Sequence, residues 1–258
     1  MAGATGGISN VVDIDLSEVE REFEERLDSL WSGWDQISAE WRRQIVDQVR
    51  VAVTANDLAA LAAISVSTAA AQEALVEAMV DMALTAARRM SREAEAQGVR
   101  IDPVASDSAV FAAVAGASVA LLAEGLTNSA GREALRQWSP STSGDDVSRS
   151  VLEHLEQLSD AFPRMQLGAA LTSAQNTGRL NTALSGPVAA LYASEVMDRN
   201  TCRPCREVDG KWLGNTDDPD TPARVAEVYP NGGYRFCQGG VRCRGTIVSV
   251  FRPETVGP

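Results

Sequence analysis

Cys202 and Cys205 stand three positions apart in the stretch NTCRPCREVDGKW, and Cys237 and Cys243 follow in YRFCQGGVRC; the chain has no other cysteines. A Cys-x2-Cys spacing is that of a knuckle, a tight turn that aims two thiolates at one ion while nearby backbone N–H groups bond the sulfurs. The second pair is looser, and its QGGVR insert holds two glycines able to take unusual backbone angles. Thirty-one residues separate the pairs, somewhat more than in compact zinc ribbons. Four thiolates in a tetrahedron suit Zn²⁺ and leave no open coordination position, so the ion expected from this pattern is structural. Three other chemistries stay open at this level. The pairs form disulfides in an oxidising setting, Cys202 and Cys205 act as a redox dithiol although the βαβ context of such motifs is absent, or the four hold an iron–sulfur cluster.

The remaining reactive side chains point away from catalysis. His154 is the only histidine and sits in the amphipathic stretch VLEHLEQL, where a surface or packing role is the ordinary one. There is no Gly-rich phosphate loop and no His/Glu metal pair. Asp217 and Asp218 lie in NTDDPDTP, which reads as a solvated turn. No catalytic residue, no enzyme activity and no small-molecule substrate are expected.

The elements that must position the cysteines come from a chain of 258 residues, 45% apolar and 22% charged, enough to bury a substantial core. No stretch approaches 18 uninterrupted apolar residues, so no membrane span is expected. The opening MAGATGGISNVVDIDLSEVE has no basic start and turns acidic at once, unlike a secretory signal. A reducing compartment is the default, and there clustered cysteines favour metal. The net charge of −12 is uneven: residues 1–198 carry 14 basic and 28 acidic side chains, residues 199–258 carry 9 and 7. So acidic a body repels a phosphate backbone, which argues against non-specific nucleic-acid binding by the whole chain.

Residues 1–15 read as a flexible arm. From Leu16 the positions Val19, Phe23, Leu27, Leu30, Trp34, Ile37, Trp41, Ile45, Val49 and Val53 step by three and four, one face of a long amphipathic helix whose tryptophans belong to the core. A second helical run, N-capped at Asn56, extends to Gln97 with an interruption expected around Ser65–Thr68. Further helices are expected over 106–130, 131–138, 147–160 and 163–184, their alanine-rich faces letting neighbours approach closely. Beyond Gly186-Pro187 the period changes, and VAALYASEVMD and TIVSVF read as strands. The fold expected is mainly α: long amphipathic helices in an extended or bundle-like body (16–186), carrying a small β-rich, four-cysteine, zinc-knuckle-like module (187–258). Such a module has few large apolar side chains and needs a staple.

The stretch YASEVMDRNTCRPCREVDGKW followed by YPNGGYRFCQGGVRCRGTIV resembles the C-terminal segment of Mu F-like phage minor head proteins, the head-morphogenesis family, in the form found in phages of actinobacteria. The pattern falls on Asp198, Thr201, Cys202, Cys205, Asp209, Gly210, Cys237, Cys243 and Arg244, with SAQNTGR just upstream. It departs where many relatives have a histidine and a Cys-Arg-Cys, since this chain has Cys237, a glycine-rich insert and Cys-Arg-Gly. The resemblance implies a structural virion component, in several copies around one vertex, that contacts the portal protein or the major capsid protein at the portal vertex or inner head wall. Its implied role is to assist head assembly, DNA packaging or genome delivery. An alternative is a zinc-knuckle nucleic-acid binder in which Arg199, Arg203, Arg206, Lys211, Arg242 and Arg244 contact packaged DNA through phosphates.

Overall fold

A computed structural model describes residues 16–197, 199, 201–230, 233–239 and 243–252. The expected arm at 1–15, Asp198 and Arg242 lie outside the described residues. Eight helices and three strands occur among those described: α1 (Leu16–Thr54), α2 (Leu58–Ala62), α3 (Ala69–Ala96), α4 (Ser108–Gln137), α5 (Gly144–Glu156), α6 (Ala161–Leu184), β1 (Val188–Ser194), α7 (Arg203–Val208), β2 (Trp212–Gly214), α8 (Thr221–Val228) and β3 (Thr246–Phe251).

The three-and-four stripe of α1 does what its period demands. Val19, Leu27, Leu30, Trp34, Trp41, Ile45, Val49 and Val53 are buried, and Trp34 meets Trp41 edge to face at 5.3 Å. One core cluster joins α1, α3, α4 and α6, and a second joins α1, α2, α4 and α5. Two expectations are corrected here and one is met. Asn56 is not an N-cap: it takes a left-handed backbone (φ 55°) in the turn after α1, and Asp57 caps α2 by accepting from the Ala60 N–H. The expected interruption is present, the chain from 64 to 68 leaving the helix altogether. Its backbone is held by glutamines of α1, with Gln48 Nε2 donating to Ser65 O at 2.7 Å and Ser67 N donating to Gln44 Oε1 at 3.1 Å. The two helices expected over 106–138 are one, α4, which runs straight through Gly131. That helix is also long and apolar enough to cross a membrane, and its buried face (Phe111, Ala115, Val119, Leu122) packs into the first core cluster.

Helices α3 and α6 form the closest seam. A Cβ on Gly178 would lie 2.1 Å from the Ala83 carbonyl oxygen, so at this crossing only hydrogen fits and the two backbones touch. The same two helices carry the sheet. Its order is β2-β1-β3, all antiparallel, with Ser194 of β1 opposite Thr246 of β3. A third core cluster spans Met90 and Ala94 of α3, Ala183 of α6, and Val188, Leu191, Ile247 and Phe251 of the sheet, with Val208, Val225 and Val228 from the short helices. The C-terminal module therefore does not lack a core; it completes one by docking on the body. The module is also less β-rich than expected, since α7 and α8 stand between its short strands.

The outer edge of β3 is closed by side chains instead of a strand. Arg179, fully buried, donates Nε to Ile247 O at 2.8 Å and both terminal nitrogens to Glu93 at 2.6 and 3.0 Å. Gln97 donates to Ser249 O and accepts from Phe251 N, and Asn176 donates to Gly245 O. Backbone groups that would otherwise be left unpaired on a buried edge are thereby satisfied. Asn176, Gly178 and Arg179 all belong to SAQNTGR, so that motif is the fastening between the body and the sheet.

Candidate metal centre

Strand register builds the site. Because Ser194 faces Thr246, the residues just beyond the ladder, Glu195 on one side and Cys243 to Gly245 on the other, are brought side by side. The chain then returns through α7, whose N-cap is Cys202 and whose buried face carries Cys205. The expected knuckle is thus the first turn of a short helix, with proline at its start. The Asp209-Gly210 turn follows. Gly210 takes φ 78° and donates to Ala193 O at 2.8 Å, while the Asp209 carboxylate accepts from the Glu195 N–H at 2.9 Å. Thr201 donates its hydroxyl to Val196 O, closing the loop between β1 and α7.

All four cysteines are free thiols, and they cluster with contacts of 3.4–4.0 Å. Cys202 Sγ lies 3.8 Å from Cys237 Sγ. Tetrahedral ligands each about 2.3 Å from a zinc ion stand about 3.8 Å apart, so the spacing fits a shared ion. The donor atoms form two triads that share Cys205. An outer one, Cys202, Cys205 and Cys237, is partly exposed, and an inner one, Glu195, Cys205 and Cys243, is wholly buried. Backbone N–H groups serve the sulfurs as the spacing implied, Tyr234 N donating to Cys243 Sγ at 3.1 Å and Gln238 N to Cys202 Sγ at 3.4 Å.

The thiols are not alike electrostatically. Burial opposes ionisation of Cys202, but backbone N–H groups of Cys205 and Gln238 outweigh it and bring its pKa down to about 7. Burial, then the neighbouring Glu195 charge, pushes Cys243 up to about 12, and the same causes push Cys205 up further. Burial likewise lifts Glu195 to about 7. Glu195, Cys205 and Cys243, crowded and buried together, each resist losing a proton, which is the electrostatic condition that a bound divalent ion relieves.

Glu195 is the residue that sequence reading missed. No spacing rule ties it to the cysteines, and only the strand register does. A cleft of about 700 Å³ opens beside the cluster, lined by Phe23 and Leu27 of α1, Met165 and Gly168 of α6, and the sulfurs. The basic residues of the module are largely engaged: Arg203 with Glu207 at 2.7 Å, Arg244 with Glu20 of α1 at 2.6 Å, and Arg206 with Thr201 O at 2.9 Å. Arg199 and Lys211 are exposed. His154, on α5, shares a 2.9 Å hydrogen bond with Ser129 of α4, a polar tie between two packed helices. No known protein family, curated protein or solved structure matches this chain.

Proposed function

We propose that this chain is a structural minor head protein of a tailed phage, of the Mu F-like head-morphogenesis type, with a C-terminal module stapled by zinc. The observation that carries the reading is the convergence of its motif. Cys202, Cys205, Cys237 and Cys243 meet, Asp209 and Gly210 turn the chain back onto β1, and Arg244 joins the module to α1. These are positions on which the resemblance to that family rests. The cysteine sulfurs would hold Zn²⁺, and the ion would cross-link α7, the turn at Cys237 and the approach to β3. On this reading the body supplies contact surface. The outer face of α4 is uncharged from Ser108 to Ala123, with Val110 and Leu121 exposed, a surface suited to packing against a portal or capsid subunit. The role is assembly at the portal vertex or inner head wall, in several copies, without catalysis.

Mass spectrometry of purified empty heads and mature virions tests the virion role, and metal analysis of the purified chain tests the staple. The chain is expected in both particles and to carry zinc at a fixed ratio; its absence from both particles would overturn the role. The DNA-binding alternative is weakened by the arginines already paired with carboxylates. Binding of the full chain to duplex DNA, with affinity falling steeply as salt rises, would restore it.

A further inference from the structure

We propose that Glu195 is itself a ligand of the metal centre, giving it a mixed sulfur–oxygen shell in place of four sulfurs. The inference rests on the metal reading above and concerns which atoms hold the ion. Glu195 Oε2 lies 3.7 Å from Cys243 Sγ, and the donor atoms of Glu195, Cys205 and Cys243 all fall within 4.8 Å of one another. Oxygen and sulfur ligands of a tetrahedral zinc, at about 2.0–2.2 and 2.3 Å, stand about 3.5–3.7 Å apart. The carboxylate is already where a ligand would be.

Its surroundings hold it there. The residue is 3% exposed, and among the described residues it has no ion pair. A carboxylate so buried is costly unless a cation meets it. Tyr229 donates its hydroxyl to Oε1 at 3.2 Å, which orients the group and leaves Oε2 to face the sulfurs, the hydrogen-bonded support typical of a metal-bound carboxylate. Room is reserved as well. A Cβ on Gly245 would come within 2.3 Å of Oε1 and 2.8 Å of the Tyr229 ring, so glycine at 245 is what admits this carboxylate. Five donors then compete for four positions. With Cys205 shared, the last position falls to one of the half-buried outer pair, and the other, Cys202 or Cys237, is left as a thiol outside the shell.

Zinc-edge X-ray absorption on the zinc-loaded full chain, with thiol counting on the same sample, tests this. The expected result is three sulfurs and one oxygen around zinc and one reactive thiol per chain, mapping to Cys202 or Cys237. In Glu195→Gln the shell should shift towards sulfur and the reactive thiol should disappear. Four sulfurs with no oxygen and no reactive thiol in the wild-type chain would overturn the role of Glu195 and leave the zinc staple standing. Failure of the wild-type chain to take up zinc at all would overturn both. The wild-type spectrum decides the matter even where the variant does not fold.

Discussion

Where α6 crosses α3, Gly178 lies against the Ala83 carbonyl and the side chains around it, Met82, Ala86, Ala174 and Arg179, are buried. Around Cys202 and Cys237 the side chains are half-buried, Phe236 is exposed, and the backbone bends through turns whose N–H groups go to sulfur. The first region is fixed by shape, since each helix leaves no room for the other to sit differently. The second has few apolar contacts and relies on backbone donors to sulfur. The module thus has two kinds of attachment: a sheet locked to the body by packing and polar latches, and a tip held by turns and backbone donors to sulfur, whose order would depend on the proposed ion.

Variants at the latch should show the largest effect. Arg179→Ala leaves Glu93 buried without its cation and Ile247 O without its donor, and should cost about 3–5 kcal/mol in urea unfolding. Replacing both partners, as Arg179→Met with Glu93→Met, should recover the part that comes from the unpaired Glu93 charge and leave the part that comes from Ile247 O. An unchanged midpoint in the single variant would show that packing alone holds the sheet. Gly178→Ala should cost about 1–3 kcal/mol, because a methyl group must force two backbones apart; a neutral result would mean that the seam is looser than its geometry. Trp41→Phe removes the 2.8 Å bond from Nε1 to Ser67 O and should cost about 1 kcal/mol by the same measurement.

The smallest effect on the whole molecule should come from removing metal. After chelation, amide hydrogen exchange at Tyr234 and Gln238 should accelerate while the amides of α3 and α6 stay protected. Equal loosening of both regions would erase the distinction between them. Zinc uptake should release protons, and affinity should fall as pH is lowered, because the thiols must ionise to bind. Cys205 and Cys243, whose ionisation burial opposes, would contribute most of that dependence.

Much of α1 was legible because a 39-residue amphipathic stripe has one reading at a period near 3.6. The breaks were less so. Gly131 reads locally as a helix boundary, but it lies inside α4 because α2 packs there, with the Leu61 carbonyl 3.2 Å from where a Cβ would be. The short helices α7 and α8 were missed among cysteines, aspartates and glycines, although Pro204 and Pro222 at their starts were the signal. The four cysteines announced themselves by type and spacing. Glu195 did not, for its place beside Cys243 is set by how β1 and β3 pair, a relation between segments about fifty residues apart that no local pattern encodes. Even SAQNTGR was visible only as a motif, and the reason for its asparagine, glycine and arginine lay in an edge strand some seventy residues downstream.

That edge sets an order of events. The carbonyls that Gln97, Asn176 and Arg179 seek lie on β3 or just before it, and β3 leaves the ribosome after every helix of the body, so Asn176 and Arg179 must wait while about seventy further residues are synthesised and Gln97 while about 150 are. Until then Arg179 and Glu93 have only each other and the solvent, and the side of the α3–α6 pair that the sheet later covers stays open. The arrival of a single six-residue strand closes polar latches that the helices alone leave open.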